Sequence, residues 1–366
     1  MHNTGGRSIL FLMAFVAFVL GCSTAPPPAP TAATPGAGAP TPAPTAAAAA
    51  TGNGTPIKIG LVTGTGATPV YVAAGRGYYQ QQGLDVQFVN VSSGAELLPL
   101  MASNQLDGGI SSPAAALYNA IATNVKLKVV ADAGKQLPGA WWGGLVVRPD
   151  LLDSGALTSP ADLKGKTIAV TAPGVGTYMN VVSLLEANGL TDKDVNITYL
   201  NFADMLSALA SQKIDAADMV EPSITQGEAT SVVKRWVSNA EIAPGEQEAV
   251  LMITPQLAGN GDVADRFLLA YVQGLRDYVA AFGPQHTDQT NVISSVMPML
   301  PSAYTPDLVS KVKPLALDAD GLVDAESLKH QQDWYIAHGF VKTAANIDEV
   351  VDNSFVQHAK STLAAR

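Results

Sequence analysis

Short apolar runs alternate with amphipathic stretches along most of this chain, and Gly, Ser, Thr and Pro punctuate them. Residues 57–63 form the first run, as short and as apolar as a buried strand requires. Gly64, Thr65, Gly66 and Ala67 follow as a turn, because glycine reaches backbone angles that cost other residues free energy. Thr68 then fits a helix N-cap and Pro69 the first helical position, with Gly83 as the stop. Such a strand–turn–helix unit leaves backbone N–H groups above the strand, where a ligand can dock.

The same alternation continues. Strands are predicted over 85–91, 107–111 and 126–131, and 132–144 has no clear period. Ser93 with Glu96 fits a capping box, and Ser112 before Pro113 fits a second helix start. Further strands are predicted over 145–147, 195–200, 214–220 and 249–253, with helices over 178–188, 204–212, 262–282 and 324–338. The unit also recurs: Lys58 to Thr63 lines up with Lys166 to Thr171, 108 positions on. At that spacing Gly66 falls on Gly174, and Ala102 to Asp107 on Ala210 to Asp215. A repeat of strand, helix and Asp in one register predicts two lobes of one plan. The expected fold is therefore α/β, a two-lobe clamshell of open mixed sheets flanked by helices. Lobe one would take 57–144 and 249–366, and lobe two 145–248. In open α/β sheets the turns at the strand ends are where ligands bind.

Composition changes the picture at the amino end. Arg7 precedes an apolar stretch over 9–20, shorter than the roughly 20 residues that span a bilayer, so 1–21 reads as an export signal. Cys22 closes it after Val19, Leu20 and Gly21, which resembles a bacterial lipoprotein signal with Cys22 as the lipidated residue. Cys22 is the only cysteine, so the domain holds no disulfide and relies on its packed core. Residues 22–56 are rich in Ala, Pro and Thr and read as a disordered tether. The expected location is the outer face of the cell membrane, through lipid on Cys22. The net charge is −10, which argues against nucleic acid as a partner.

Taken in order, Pro69 to Ala73, Gly77-Tyr78-Tyr79, Gly83 to Val86, Ser111-Ser112-Pro113, Asp162 to Lys166, Asp215 to Ala217 and Glu221-Pro222 resemble a known family. It is the substrate-binding lipoproteins of ABC importers for nitrate, sulfonates and thiamine pyrimidine precursors. The resemblance covers about 57–280 and implies a ligand held between two lobes, with a separate permease and ATPase as partners.

Candidate ligand-binding residues come from the turns: Thr65, Thr68, Ser92, Ser93, Ser111 and Ser112 in lobe one, and Gly174, Gly176, Thr177, Tyr178 and Glu221 in lobe two. Tyr71 divides between packing and pocket. Trp141 and Trp142 are adjacent and, if extended, point to opposite faces, so one can stack on a flat ring. A Glu at a strand exit is costly if buried unpaired, and Glu221 suits a ligand amine or ring N–H. The proposed turns hold no Arg for an oxyanion. These features favour a small aromatic heterocycle, for which the family offers riboflavin and thiamine pyrimidine precursors. The alternatives are an oxyanion such as an alkanesulfonate or nitrate, or a sensor built on the same clamshell.

Enzyme chemistry finds little support. Gly64-Thr65-Gly66 begins like a dinucleotide fingerprint, but Pro69 stands where its third Gly belongs. His330 and His338 lie two helical turns apart, too far for a paired metal site. No catalytic residue, metal or cofactor is expected.

Overall fold

A computed structural model describes residues 54–62, 68–91, 93–300 and 304–365. The export signal, Cys22, the tether as far as residue 53, the turn at 63–67 with Thr65, and Ser92 lie outside them.

The strands in chain order are β1 (Thr55–Val62), β2 (Leu84–Val91), β3 (Gly108–Ser111), β4 (Lys128–Lys135), β5 (Gly143–Val147), β6 (Thr167–Val170), β7 (Asn196–Tyr199), β8 (Ala216–Val220), β9 (Lys234–Ser238) and β10 (Gln247–Ile253). They build two five-stranded sheets, ordered β2-β1-β3-β10-β4 and β7-β6-β8-β5-β9. β1 is parallel to β2 and β3, and β6 is parallel to β7 and β8. One antiparallel strand is inserted in each sheet: β10, returning after the second sheet is complete, between β3 and β4, and β5 between β8 and β9. The duplicated, mixed-sheet plan predicted from sequence is therefore present.

The register of the repeat differs in one place. Ile59 pairs with Gly108, and Ile168 with Ala216. The third strands are related by 108 residues, as expected, but the first strands by 109. Side chains alternate along a strand, so a slip of one residue exchanges its two faces. At 109 the core-facing Ile59 and Leu61 match Ile168 and Val170, whereas at 108 they would match residues of the opposite face. An Asp holds the first strand in both halves. Asp107 accepts the Lys58 N–H at 2.8 Å, and Asp215 accepts the Thr167 N–H at 2.9 Å.

The long helix Gly261–Phe282 covers the first sheet, with Phe267, Tyr271, Gly274 and Tyr278 on its buried stripe. Gly274 lets it approach the helix Thr68–Gly75, because a Cβ there would stand 2.6 Å from the Pro69 carbonyl oxygen. Three expectations need correction. The helix that opens at Thr68 ends at Gly75 instead of running to Gly83, because Gly77 turns at φ +73° and a separate short helix, Tyr78–Gln81, follows. β4 continues to Lys135 instead of ending at Ala131, because β10 pairs along it through register shifts that hide the period. Ser112 caps no helix: the next one starts at Ala115 with no side-chain cap.

Candidate functional site

The strand ends of the two halves meet. The Ala115 N–H donates to the Gly174 carbonyl at 3.1 Å, across the seam. Met179 joins the apolar core of the first half, and His338 pairs with Glu186 at 2.9 Å. Ser112 and Pro113 from one half and Gly176, Met179 and Asn180 from the other line a cavity of about 10 Å³, which is room for about one water. Gln136, Glu246, Gln247, Glu248 and Gln331 complete its wall. The helix Gly176–Ala187 begins here with no side-chain cap, so its first turn points N–H groups toward the seam.

Two half-buried carboxylates, Glu246 and Glu248, and two fully buried ones, Asp132 and Asp218, lie near this point, and their partners differ. Glu246 accepts from the Ser327 hydroxyl at 2.5 Å and the Gln331 amide at 2.9 Å, and pairs with His330. Glu248 accepts from the Gln136 amide. Glu248 is half-buried and lines the cavity, and burial pushes its carboxyl up to about 7. Asp132 in β4 is fully buried and fully answered, by the Gly134 N–H at 2.8 Å, the Gln247 amide at 2.5 Å and the Asp318 N–H at 3.2 Å. Its carboxyl is pushed up to about 6, because desolvation outweighs those bonds. Asp218 in β8 is equally buried, but both of its oxygens lack a partner. The amides of Asn239 and Asn180 flank it without making a bond of normal geometry. Burial and the charge of Glu248 hold its carboxyl well above the usual range.

Residues 65–281 match the NMT1/THI5-like family, which is more than half of the sequence. The chain belongs to that family. A putative ABC transporter periplasmic binding protein of Brachyspira hyodysenteriae is 28% identical over 186 residues, covering 47% of this chain and 51% of that protein. The riboflavin-binding protein RibY of Chloroflexus aurantiacus is 23% identical over 217 residues, 58% of each chain. This chain thus matches between half and three-fifths of the length of these curated relatives. The crystal structure of the periplasmic aliphatic sulphonate binding protein of Escherichia coli superposes with a TM-score of 0.66 at 16% identity, over 81% of this chain and 92% of that one. The fold of this NMT1/THI5-like chain is accordingly that of the periplasmic binding proteins.

Of the residues predicted from sequence, Ser112 and Gly176 reach the cavity wall, and Gly174 forms part of the seam. Ser111 lies just behind, its hydroxyl donating to the Ser112 carbonyl at 3.3 Å. Thr68 is half-buried at a helix start, and Ser93 caps the helix Gly94–Ala102 by accepting the Glu96 N–H at 3.3 Å. Tyr71 meets Phe88 edge-on in the first half, and burial pushes its hydroxyl up to about 12. The Thr177 hydroxyl accepts the Thr171 N–H at 3.0 Å. Tyr178 packs edge-on to Trp334 and Phe340, with its hydroxyl donating to Asp192 at 3.0 Å.

The tryptophans and Glu221 meet protein partners in this structure. The Trp142 ring is buried against Val220 and Leu315, and the Trp141 ring lies 5.4 Å from the Arg235 guanidinium. Glu221 is 3% exposed, but it is not unpaired. It accepts from Arg235 at 2.5 Å, from the Thr225 hydroxyl at 2.9 Å and from the Thr225 and Lys313 N–H groups at 3.1 Å each. Sequence reasoning missed Asn180, Glu248 and Asp218, which project from a helix and strands instead of turns, and Glu246, which stands just before β10. The signal for Asp218 was present: a lone charge inside the apolar run Ala216 to Val220. A larger groove of about 410 Å³ lies between Met101, Asn124 and Pro255. It sits at the carboxyl ends of the helices Gly94–Ala102 and Ala115–Ala122, away from the seam.

Proposed function

We propose that this protein is the solute-binding component of an ABC importer, held outside the cell membrane by lipid on Cys22 and delivering its ligand to a separate permease and ATPase. The observation that carries this reading is the seam itself. The strand ends of two duplicated halves close on polar groups drawn from both, so a bound molecule would make all its contacts only in the closed state. The importer relatives support it by name. No helix among the described residues is long and apolar enough to cross a membrane, and no three of their His, Cys, Asp or Glu side chains are grouped so as to hold a metal ion.

Within that reading, the ligand is a small aromatic heterocycle, of the riboflavin or pyrimidine type. The cavity wall offers carboxylates, amides and N–H groups but no Lys or Arg, which suits a molecule with both donors and acceptors. The uncapped helix start at Gly176 favours a second reading, an oxyanion. Calorimetric titration with riboflavin, 4-aminopyrimidine, methanesulfonate and nitrate separates them. Binding of either heterocycle, with a more compact scattering profile, is the expected result. Tight binding of an anion alone overturns the heterocycle, and a profile unchanged by all four overturns the clamshell reading.

A further inference from the structure

Asp218 makes no hydrogen bond of normal geometry, although the Asn239 and Asn180 amides stand beside it. The side chain has no exposure, both oxygens are unpartnered, and the neighbouring Asn239 leaves its own amide nitrogen and oxygen unpartnered too. Native proteins rarely leave a buried carboxyl in this condition, since each unanswered polar group costs free energy. The fold does not require it: the equivalent position of the first half, 108 residues earlier, is Ile110, which is buried in an apolar core. The two positions share their surroundings, Ile110 opposite Leu251 and Asp218 opposite Leu145. Toward the seam, Asp218 adjoins Asn180 and feels the charge of Glu248, and both of those line the cavity.

We propose that Asp218 and Glu248 form an acidic subsite for a positively charged nitrogen of the ligand, with the Asn180 and Asn239 amides accepting its remaining N–H groups. The proposal deepens the importer reading and rests on it, because the subsite belongs to the seam between the halves. A cation there answers both free oxygens of Asp218 and neutralises the repulsion between the two carboxyls. Opening of the seam gives the nitrogen access, and closure then sets Glu248 of β10 against Asp218 of β8.

Protons follow the ligand. Glu248 is faced by Asp218 from β8, by Gln136, by Asn180, and by Tyr335 of the helix Ala325–Ala337, with Glu246 and its partner His330 two residues back along the chain. In the free protein Glu248 is pushed up to about 7, so it carries a proton in mildly acid solution. A cation binds the ionised form and lowers both carboxyls, so binding releases protons. Affinity is therefore weakest in acid solution and rises with pH as the two raised carboxyls ionise.

The test is calorimetry on the full chain with benzylamine, benzyl alcohol and benzenesulfonate, one ring carrying a cation, a neutral group or an anion. Benzylamine is expected to bind about tenfold tighter than benzyl alcohol, with affinity rising about fivefold from pH 6 to 8. Glu248→Gln and Asp218→Asn should each remove that preference. Ligand-free Asp218→Asn should melt no lower than the parent, because no partner is lost. Four results overturn the subsite: benzenesulfonate binding tightest, benzylamine failing to bind, amine affinity indifferent to both substitutions, or Asp218→Asn melting several degrees lower with affinity intact. Binding of the alcohol or sulfonate with closure of the halves, indifferent to both variants, removes the subsite and leaves the importer reading in place. No binding and no closure with any compound removes both.

Discussion

Ile110 and Asp218 hold the same place in the two halves of this protein, each in the third strand of its sheet and each wholly enclosed. Ile110 is packed among Ile59, Leu61 and Leu251. Asp218 has unpartnered oxygens beside two amides. A second pair makes the contrast sharper. Asp132 is as deeply buried as Asp218, yet three donors answer it and the Tyr271 hydroxyl donates to its own carbonyl at 2.5 Å. Burial alone therefore does not separate structural carboxylates from those available to a ligand. Partnership does: Asp132 and Glu221 are built into the scaffold, whereas Asp218 is held ready at the seam.

Breaking the scaffold should cost most where charge is most enclosed. Glu221→Ala leaves the Arg235 guanidinium, itself 12% exposed, without its buried partner, and frees the Lys313 N–H that ties the carboxyl-terminal segment to the second half. The expected loss is about 3–5 kcal/mol of unfolding free energy, read by denaturant melts. A loss under about 1 kcal/mol would return Glu221 to the list of groups free to meet a ligand. Asp132→Asn comes next. It keeps the shape but turns an N–H₂ toward the Gln247 amide and the Gly134 N–H, with an expected cost of about 1–3 kcal/mol. Set beside the unchanged or raised stability expected of Asp218→Asn, this difference measures the contrast between the halves. Equal costs at the two positions would erase it.

Much of this plan is legible in the sequence, and the failures share a cause. The apolar runs and the capping pair Ser93 and Glu96 act locally, so their neighbours in sequence are their neighbours in space, while Asp107 and Asp215 reach strands far along the chain and were legible only because they recur. The one-residue offset between β1 and β6 was hidden because Lys58 and Lys166 align by identity while the faces they belong to do not. Glu221 read as unpaired because Arg235 and Lys313, which answer it together with Thr225, do not announce themselves as its partners in the sequence. The reverse holds for Glu248. It sits at the start of a strand like any solvated charge, and only β10 crossing into the first sheet brings it to face Asp218. Turns announce themselves through Gly, Ser and Pro, but an acid inside a strand acquires its meaning from whatever closes over it.

The seam offers the finest test. Gly174 has φ +68°, and a Cβ there would stand 2.9 Å from the Phe340 ring and 3.4 Å from the Ala115 side chain. Its counterpart by the sequence repeat, Gly66, lies outside the described residues. Gly174→Ala carries two costs that separate by state. The backbone cost of roughly 1 kcal/mol is present whether the halves are open or closed. The contact with Phe340 and Ala115 arises only on closure, because Gly174 belongs to the second half and both neighbours to the first. Stability should therefore fall by about 1 kcal/mol, while the closed fraction seen by scattering falls about fivefold. Phe340→Leu trims the ring, so a double-mutant cycle should return most of the closure penalty and none of the backbone term. If the two substitutions add without coupling, the halves do not meet at Gly174 when they close, and the contact that positions Gly176 beside the cavity has to be sought elsewhere.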